Sequence, residues 1–308
     1  MTPDSTVCSA VSAFRSELVR LRQPMGNRLW VSGGAILSLG VLSGLLGAGT
    51  WASGSAELTD GELETVLRRG KITRKEDIGE GVTLPKRLWI ELDGVAVSAS
   101  FKDVDIQKRG MTRFASGNAE LNFTDSYKYE RAAYLLDREL GLGMVPVTVI
   151  RTIRRRPGAA TLWVDNSVSN ADRIEQGLRP PDMVKLFYQQ SDMRIFDALI
   201  YNTDRHSQNQ LFTLKDWQLH LIDHSRAFRT ALDLPESFAH RPTTISRSLL
   251  AKIEALNGEQ LKRLLKRELG PTQINSLLVR RDLMLEKLER DRLEYGDDYF
   301  FREEKPLP

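Results

Sequence analysis

A short stretch between two apolar segments carries more polar side chains than a turn requires. In NTDRHSQNQLF, residues 202–212, Asp204 and Asn209 stand five positions apart, with Arg205 and His206 between them. A turn needs one or two such residues. A carboxylate can accept the proton of a hydroxyl group, and an amide oxygen is a ligand that suits Mg²⁺. The stretch therefore predicts either a chemical site or the caps and Asx-turns of an ordinary loop.

Three further charged side chains complete the set that phosphoryl transfer needs. Lys102 ends the predicted strand GVAVSASFK, and alternation places Ser98 and Ser100 on its face. Glu130 lies beside the apolar face of a predicted helix, and Asp223 directly follows the apolar run LHLI. Phosphoryl transfer uses a lysine on the nucleotide phosphates, a glutamate that holds this lysine, a catalytic carboxylate, and an amide and a carboxylate on Mg²⁺. A two-lobed kinase supplies these groups in this order along its chain.

Two segments, NTDRHSQNQLF and LHLIDHSRAF, resemble the catalytic and metal-binding loops of the atypical kinases. These include phosphatidylinositol 3- and 4-kinases, HipA-type serine kinases and secretory-pathway casein kinases. Upstream, FTDSYKYERAAYLLDRELGLGMVPVT resembles the helix and following strand of their small lobe. The resemblance covers roughly residues 70–295. It implies an α+β, protein-kinase-like fold of two lobes, with ATP and Mg²⁺ or Mn²⁺ bound between them.

The resemblance also implies roles for the residues of the two loops. Asp204 is expected to be the catalytic carboxylate. Arg205 and His206 lie beside it in the proposed catalytic loop. We expect Arg205 to hold the loop through an ion pair with a carboxylate, and His206 to stabilise the loop or contact a phosphate. Asn209 and Asp223 are the expected metal ligands. Asp223 is followed by His-Ser, so the Asp-Phe-Gly sequence of ordinary protein kinases is not present at this position.

The small lobe is expected to bind the nucleotide. Lys102 would contact the α- and β-phosphates and Glu130 would pair with it, with Lys108 as the nearest alternative to Lys102. The phosphate loop would be IGEGVT, which contains Gly79 and Gly81. This loop departs from the G-x-G-x-x-G pattern of ordinary protein kinases.

The elements that must position these residues follow from periodicity and turn signals. Residues 57–77 predict a helix that leads into a strand, and Asp93-Gly94 predicts a tight hairpin. A polar loop is expected over residues 103–125, followed by a helix and by a second hairpin that turns at Pro157-Gly158. Beyond residue 166 the pattern is mainly helical, with one hairpin through residues 215–216.

The N-terminal region differs in composition from the rest of the chain. No charged residue occurs from Leu29 to Ala56, and four arginines precede this segment. Its apolar part is long enough to span a bilayer. A membrane anchor, a cleaved signal peptide and a buried helix are the alternatives, and the many glycines favour the anchor. The arginine bias would place the following domain on the exported side of the membrane, although ATP is abundant in the cytoplasm.

We therefore predict four regions. These are a polar segment (1–28), a transmembrane or signal-anchor segment (29–51), a small nucleotide-binding lobe (57–165) and a helical catalytic lobe (166–300). The chain has 308 residues, of which 41% are hydrophobic and 28% charged, as in an ordinary globular protein. The net charge of only +3, with acids and bases interspersed, gives weak support to nucleic-acid binding, and the single cysteine, Cys8, excludes disulfides within the chain.

The predicted function is an ATP-dependent transfer of phosphate to a hydroxyl group. The acceptor is open between a protein Ser or Thr, a lipid and a small molecule, with a slight preference for protein. A membrane-tethered pseudokinase, which binds nucleotide or a partner without transfer, is the main alternative, and nucleotidyl transfer is another. A zinc site at His206 and His224 is disfavoured because no third strong ligand has suitable spacing.

Overall fold

The structure is a computed structural model, and it describes residues 58–302 except 79–84, 109, 114–116 and 118. The polar segment (1–28), the transmembrane or signal-anchor segment (29–51), Gly79 and Gly81 lie outside the described residues. Among the residues that are described, no helix combines the length and the apolar character needed to cross a membrane.

The first part of the described chain builds a five-stranded sheet with the order β1-β2-β3-β9-β8, in which all neighbours are antiparallel. Its strands are β1 (Lys71–Asp77), β2 (Lys86–Leu92), β3 (Val95–Lys102), β8 (Thr148–Ile153) and β9 (Arg156–Leu162). Two helices accompany it, α1 (Asp60–Arg69) and α2 (Tyr127–Leu140). The predicted hairpin between β2 and β3 is present, and Asp93 and Gly94 have φ angles of 49° and 83°, as this turn requires.

One face of this sheet is apolar and the other carries polar side chains on β3. Leu88, Ile90, Ala99 and Phe101 alternate along β2 and β3 and are buried in the hydrophobic core. The opposite face of β3 carries Ser98, Ser100 and Lys102, as the alternation predicted. Helix α1 contacts β2, β3, β8 and β9, and α2 contacts β8 and β9. The sheet therefore presents Lys102 away from its apolar face.

Two predicted features of this part are wrong. The region 103–125 is not only loop, because it forms the short paired strands β4 (Asp105–Gln107), β5 (Met111–Arg113), β6 (Ala119–Leu121) and β7 (Thr124–Ser126). The second hairpin does not turn at Pro157-Gly158, since both residues lie inside β9. It turns at Arg154 and Arg155, whose φ angles are 49° and 68°. A local turn signal was here overridden by strand pairing.

The rest of the described chain is mainly helical. It contains a three-stranded sheet of β10 (Ser167–Ser169), β11 (Gln210–Thr213) and β12 (Leu219–Leu221). Its helices are α3 (Asn170–Glu175), α4 (Met183–Leu199), α5 (Glu236–Ala239), α6 (Arg247–Ala255), α7 (Gly258–Leu265), α8 (Pro271–Tyr295) and α9 (Asp297–Phe300). The predicted α+β class, with an antiparallel-sheet lobe and a helical lobe, is therefore confirmed. The predicted limits of the lobes stay a prediction.

Candidate active site

The side chain of Lys102 joins the five-stranded sheet to two other parts of the chain. Its Nζ donates to Glu130 Oε1 at 2.9 Å and to Asp223 Oδ1 at 2.6 Å. Lys102 is the last residue of β3, Glu130 lies in the first turn of α2, and Asp223 follows β12. Three predicted site residues that are distant in the sequence are thus in direct contact.

This triad has a buried side and an open side. The side chains of Lys102 and Glu130 are 15% and 5% exposed, whereas that of Asp223 is 43% exposed. Burial alone would lower the pKa of Lys102, but Glu130 and Asp223 outweigh burial and raise this pKa well above its usual value. The lysine therefore stays charged at physiological pH, and a ligand can approach the triad from the side of Asp223.

Glu130 also binds the backbone that follows Asp223. Ser126 caps α2, which sets the position of its first turn. Glu130 Oε2 accepts the backbone N–H of His224 at 3.0 Å. Burial would raise the pKa of Glu130, but Lys102 and His224 together bring this pKa well below its usual range. One carboxylate thus connects helix α2, strand β3 and the segment after β12.

Arg205 holds the polar loop 202–209 from inside the protein. Its Nε and Nη2 donate to Asp197 Oδ2 and Oδ1 at 3.0 and 3.1 Å, which is a two-pronged ion pair with α4. Its Nη1 donates to the carbonyl oxygens of Asn209 at 3.1 Å and Ile222 at 2.6 Å. These contacts are those of the loop-holding role expected for Arg205. They place Asn209 and the residue before Asp223 on the same guanidinium group.

Asp204 lies on the same loop and is 43% exposed. Its backbone N–H donates to Asn202 Oδ1 at 3.2 Å, and its Oδ2 accepts Arg226 Nη1 at 3.2 Å. His206 Nε2 lies 3.2 Å from Asn209 Nδ2. The loop therefore presents a partly exposed carboxylate beside an arginine, and a histidine beside the amide of Asn209.

The backbone at Asp223 has an uncommon conformation. Its φ angle is 62°, in the left-handed region that residues other than glycine adopt rarely, and such strain concentrates at functional sites. The preceding Ile222 N–H donates to the carbonyl oxygen of Asn209 at 3.1 Å. Ser225 Oγ donates to Asp223 Oδ1 at 3.2 Å. The predicted metal ligands Asn209 and Asp223 thus lie on adjoining, hydrogen-bonded segments.

The donor set at this position is one amide and one carboxylate, and oxygen ligands of this kind suit Mg²⁺ or Mn²⁺. Within the part of the chain that the structure describes, no group of three or more His, Cys, Asp and Glu side chains could hold a metal ion. His224, one of the two histidines weighed for zinc, is fully buried, and burial together with Arg205 lowers its pKa.

Three residues of this region were not predicted from the sequence. Asp197 anchors Arg205, and Arg226 contacts Asp204. Asp125 precedes α2, and its buried Oδ1 has no hydrogen-bond partner within the described part of the chain; burial first, and Asp223 in addition, raise its pKa. Only Asp197 had a signal in the sequence, since it is a lone acid in the apolar stretch RIFDALIY.

No protein-family model and no curated protein sequence matches the chain. Solved structures do match. A Fam20 protein of hydra, solved with sugar, has a TM-score of 0.59 at 15% identity, and the match covers 80% of this chain and 92% of that one. A Golgi casein kinase has a TM-score of 0.59 at 13% identity, with 79% and 78% covered. The same kinase with Mn and ADP bound also gives 0.59 at 13% identity, with 81% and 80% covered.

These matches confirm the resemblance to the atypical kinases at the level of the fold. They extend over about four fifths of the chain, so they include both the sheet-rich part and the helical part. The chain has an atypical-kinase fold. At this identity the fold alone is shown, and the roles of the individual residues depend on the contacts described above.

Proposed function

We propose that this protein is a phosphotransferase of the atypical kinase type, which uses ATP and a divalent metal to phosphorylate a hydroxyl group. The observation that carries the proposal is the contact of Lys102 with both Glu130 and Asp223. A lysine between a buried glutamate and a partly exposed aspartate is the arrangement that holds nucleotide phosphates beside a metal ion. The matched kinase that was solved with Mn and ADP supports the proposed cofactors.

Each residue of the site has a proposed task. Lys102 binds the α- and β-phosphates, and Glu130 keeps it in position. Asp223 and Asn209 hold Mg²⁺ or Mn²⁺, which neutralises charge on the phosphates when it is bound. Asp204 orients the acceptor hydroxyl and takes its proton. The bond from the γ-phosphorus to the oxygen shared with the β-phosphate breaks as the acceptor oxygen binds that phosphorus, and ADP leaves.

The partner and the location are also proposals. A protein Ser or Thr is the favoured acceptor, and a lipid or a small metabolite is the alternative. The segment 29–51 would anchor the protein in a membrane, with the catalytic part on the exported side. Protease protection of a C-terminal tag in closed vesicles tests this orientation. In vesicles whose cytoplasmic face is outside, added protease should leave the tag intact, whereas a tag on the cytoplasmic side would be digested.

Binding of nucleotide is tested by thermal shift with ATP, with and without Mn²⁺. We expect a metal-dependent rise in melting temperature that Asp223→Ala abolishes. Asp282→Asn is the matched control and should keep the full rise, because the Asp282 side chain is 60% exposed and pairs only with the neighbouring Arg281 among the described residues. No rise with any nucleoside triphosphate would refute the proposed site.

Catalysis is tested by transfer of radiolabelled γ-phosphate to the protein itself and to a panel of acceptors. Asp204→Asn should abolish transfer but retain the thermal shift, because Asp204 acts on the acceptor. Binding without transfer in the wild type would favour the pseudokinase alternative. Transfer of an α-label instead of a γ-label would show nucleotidyl transfer.

A further inference from the structure

An arginine lies on the sheet face that carries Lys102. In the register of β2 and β3, Arg87 is opposite Ser100, and directly opposite residues share one face of a sheet. Ser100 and Lys102 are two residues apart on β3, so they also share that face. The rise of a strand places Ser100 about 7 Å and Ser98 about 13 Å from Lys102 along β3. Arg87 therefore lies within a nucleotide's length of the triad.

The guanidinium group of Arg87 lies at the junction between the sheet and the helical part of the chain. Its Nη2 donates to Ser98 Oγ at 3.0 Å and to Asp165 Oδ1 at 3.2 Å. Its carbon lies 4.2 Å from the ring centroid of Trp163 and 5.0 Å from that of Trp89. Its Nε is buried and has no hydrogen-bond partner among the described residues.

The ion pair of Arg87 with Asp165 can open at low cost. The two side chains are 29% and 64% exposed, and exposed ion pairs contribute about 0–1 kcal/mol. The two tryptophans keep the plane of the guanidinium group in place through cation–π contact. An aromatic base that binds beside Arg87 would thus contact the N–H donors of a guanidinium group with a fixed orientation and the solvent-accessible carboxylate of Asp165.

The proposed function places the phosphates at Lys102 and Asp223, and this inference rests on it. A nucleotide whose ribose and base extend from Lys102 along this face toward Ser98 would bring its base to Arg87. Arg87 from β2 and Asp165 from the segment after β9 lie in that direction. Among the described residues, Arg87 is the charged side chain that contacts Ser98, and Asp165 is the carboxylate that contacts Arg87.

We propose that Arg87 and Asp165 bind the base of the nucleotide and that guanine nucleotides bind at least as tightly as adenine nucleotides. Guanine offers two acceptors, O6 and N7, which match the fork of an arginine. Its N1–H and N2–H groups are donors that a carboxylate accepts. Adenine offers a donor, N6–H, beside N7, so a second arginine N–H would face another donor. GTP is therefore a phosphate donor beside ATP.

The test is competition of GTP, ITP and ATP for a fluorescent ADP analogue in the presence of Mn²⁺, using the full chain. Arg87→Met should weaken the binding of GTP by about 5- to 150-fold, which corresponds to roughly 1–3 kcal/mol for one two-pronged contact. The binding of ATP should weaken by less than about threefold in the same variant. ITP keeps O6 and N7 but lacks the 2-amino group, so its affinity should fall with that of GTP. Arg87→Lys, which keeps the charge but not the fork, should lose the same preference.

Arg74→Met is the matched control. Arg74 also lies over Trp89, at 4.5 Å, but it pairs with Glu76 on β1. The ratio of GTP to ATP affinity should stay unchanged in this variant. Equal losses of GTP and ATP affinity in Arg87→Met, or a wild type that binds ATP more tightly than GTP, would overturn this inference without affecting the proposed function. Absence of binding by all three nucleotides would overturn the proposed function as well.

Discussion

Replacement of Asp197 by Asn should destabilise the protein strongly, although Asp197 lies outside the predicted site. The side chains of Arg205 and Asp197 are only 6% and 10% exposed, so the pair is buried. Loss of one partner of a buried ion pair costs about 3–5 kcal/mol, because the other charge stays buried without compensation. Arg205 keeps its contacts with two carbonyl oxygens. We therefore expect the lower end of this range, about 3 kcal/mol.

Urea unfolding of Asp197→Asn, Arg205→Met and the double variant measures this energy and the coupling of the two residues. The double variant should lose less stability than the sum of the single variants, since no unpaired charge remains. Glu259→Gln is the control, because its pair with Lys262 is exposed on both sides and should change stability little. A loss below about 1 kcal/mol in Asp197→Asn, or additive losses, would refute the argument that this pair holds the loop.

Three further predictions concern Lys102, Asp137 and Arg155. Lys102→Met should abolish the Mn²⁺-dependent ATP shift, whereas Lys108→Met, at an exposed position, should keep it in the same assay. Burial raises the pKa of Asp137 to about 6, so its contribution to stability is present below pH 4 and lost as pH rises through 6. Asp137→Asn should remove this fall, about 3 kcal/mol between pH 4 and pH 7 by urea unfolding. Arg155→Gly should raise the melting temperature through about 1 kcal/mol of relieved strain, and a fall would refute the turn geometry.

The elements that carry the site could be predicted because their signals are local. The Asp93-Gly94 turn fixes the register of β2 and β3, and alternation then puts Lys102 on the polar face of β3. The periodicity of α2 places Glu130 beside its apolar face. Polar residues after an apolar strand marked Asp223. The contact of these three residues, however, depends on tertiary packing that no local signal contains.

The wrong turn at Pro157-Gly158 has a physical reason. A Cβ atom at Gly158 would collide with the ring of Phe101 and the backbone of Lys102. The glycine is therefore needed for close approach between β9 and β3 and not for a positive φ angle. Arg154 and Arg155 form the turn instead, although arginine does not favour the left-handed region. Sequence alone cannot distinguish these two uses of glycine.

The buried arginines explain how irregular loops can form the proposed site. Loop backbone that is removed from water must find hydrogen-bond partners for its carbonyl groups. Arg205 supplies donors to Asn209 and Ile222, on the two segments that carry the proposed metal ligands. Arg280 in α8 is fully buried and donates to carbonyl oxygens that lie before residue 202 and after Asp223 in the sequence. These acceptors are Leu199, Arg229 and Ala231.

The two arginines differ in how their charge is compensated. Arg205 has the carboxylate of Asp197, whereas burial lowers the pKa of Arg280 to about 10. A guanidinium group bound mainly to carbonyl oxygens remains charged at neutral pH, since even this lowered pKa lies well above 7. Replacement of Arg205 by an apolar residue would remove donors from two loop carbonyls, and replacement of Arg280 would remove donors from three. The segments that carry Asp204, Asn209 and Asp223 are thus held in place by buried guanidinium groups.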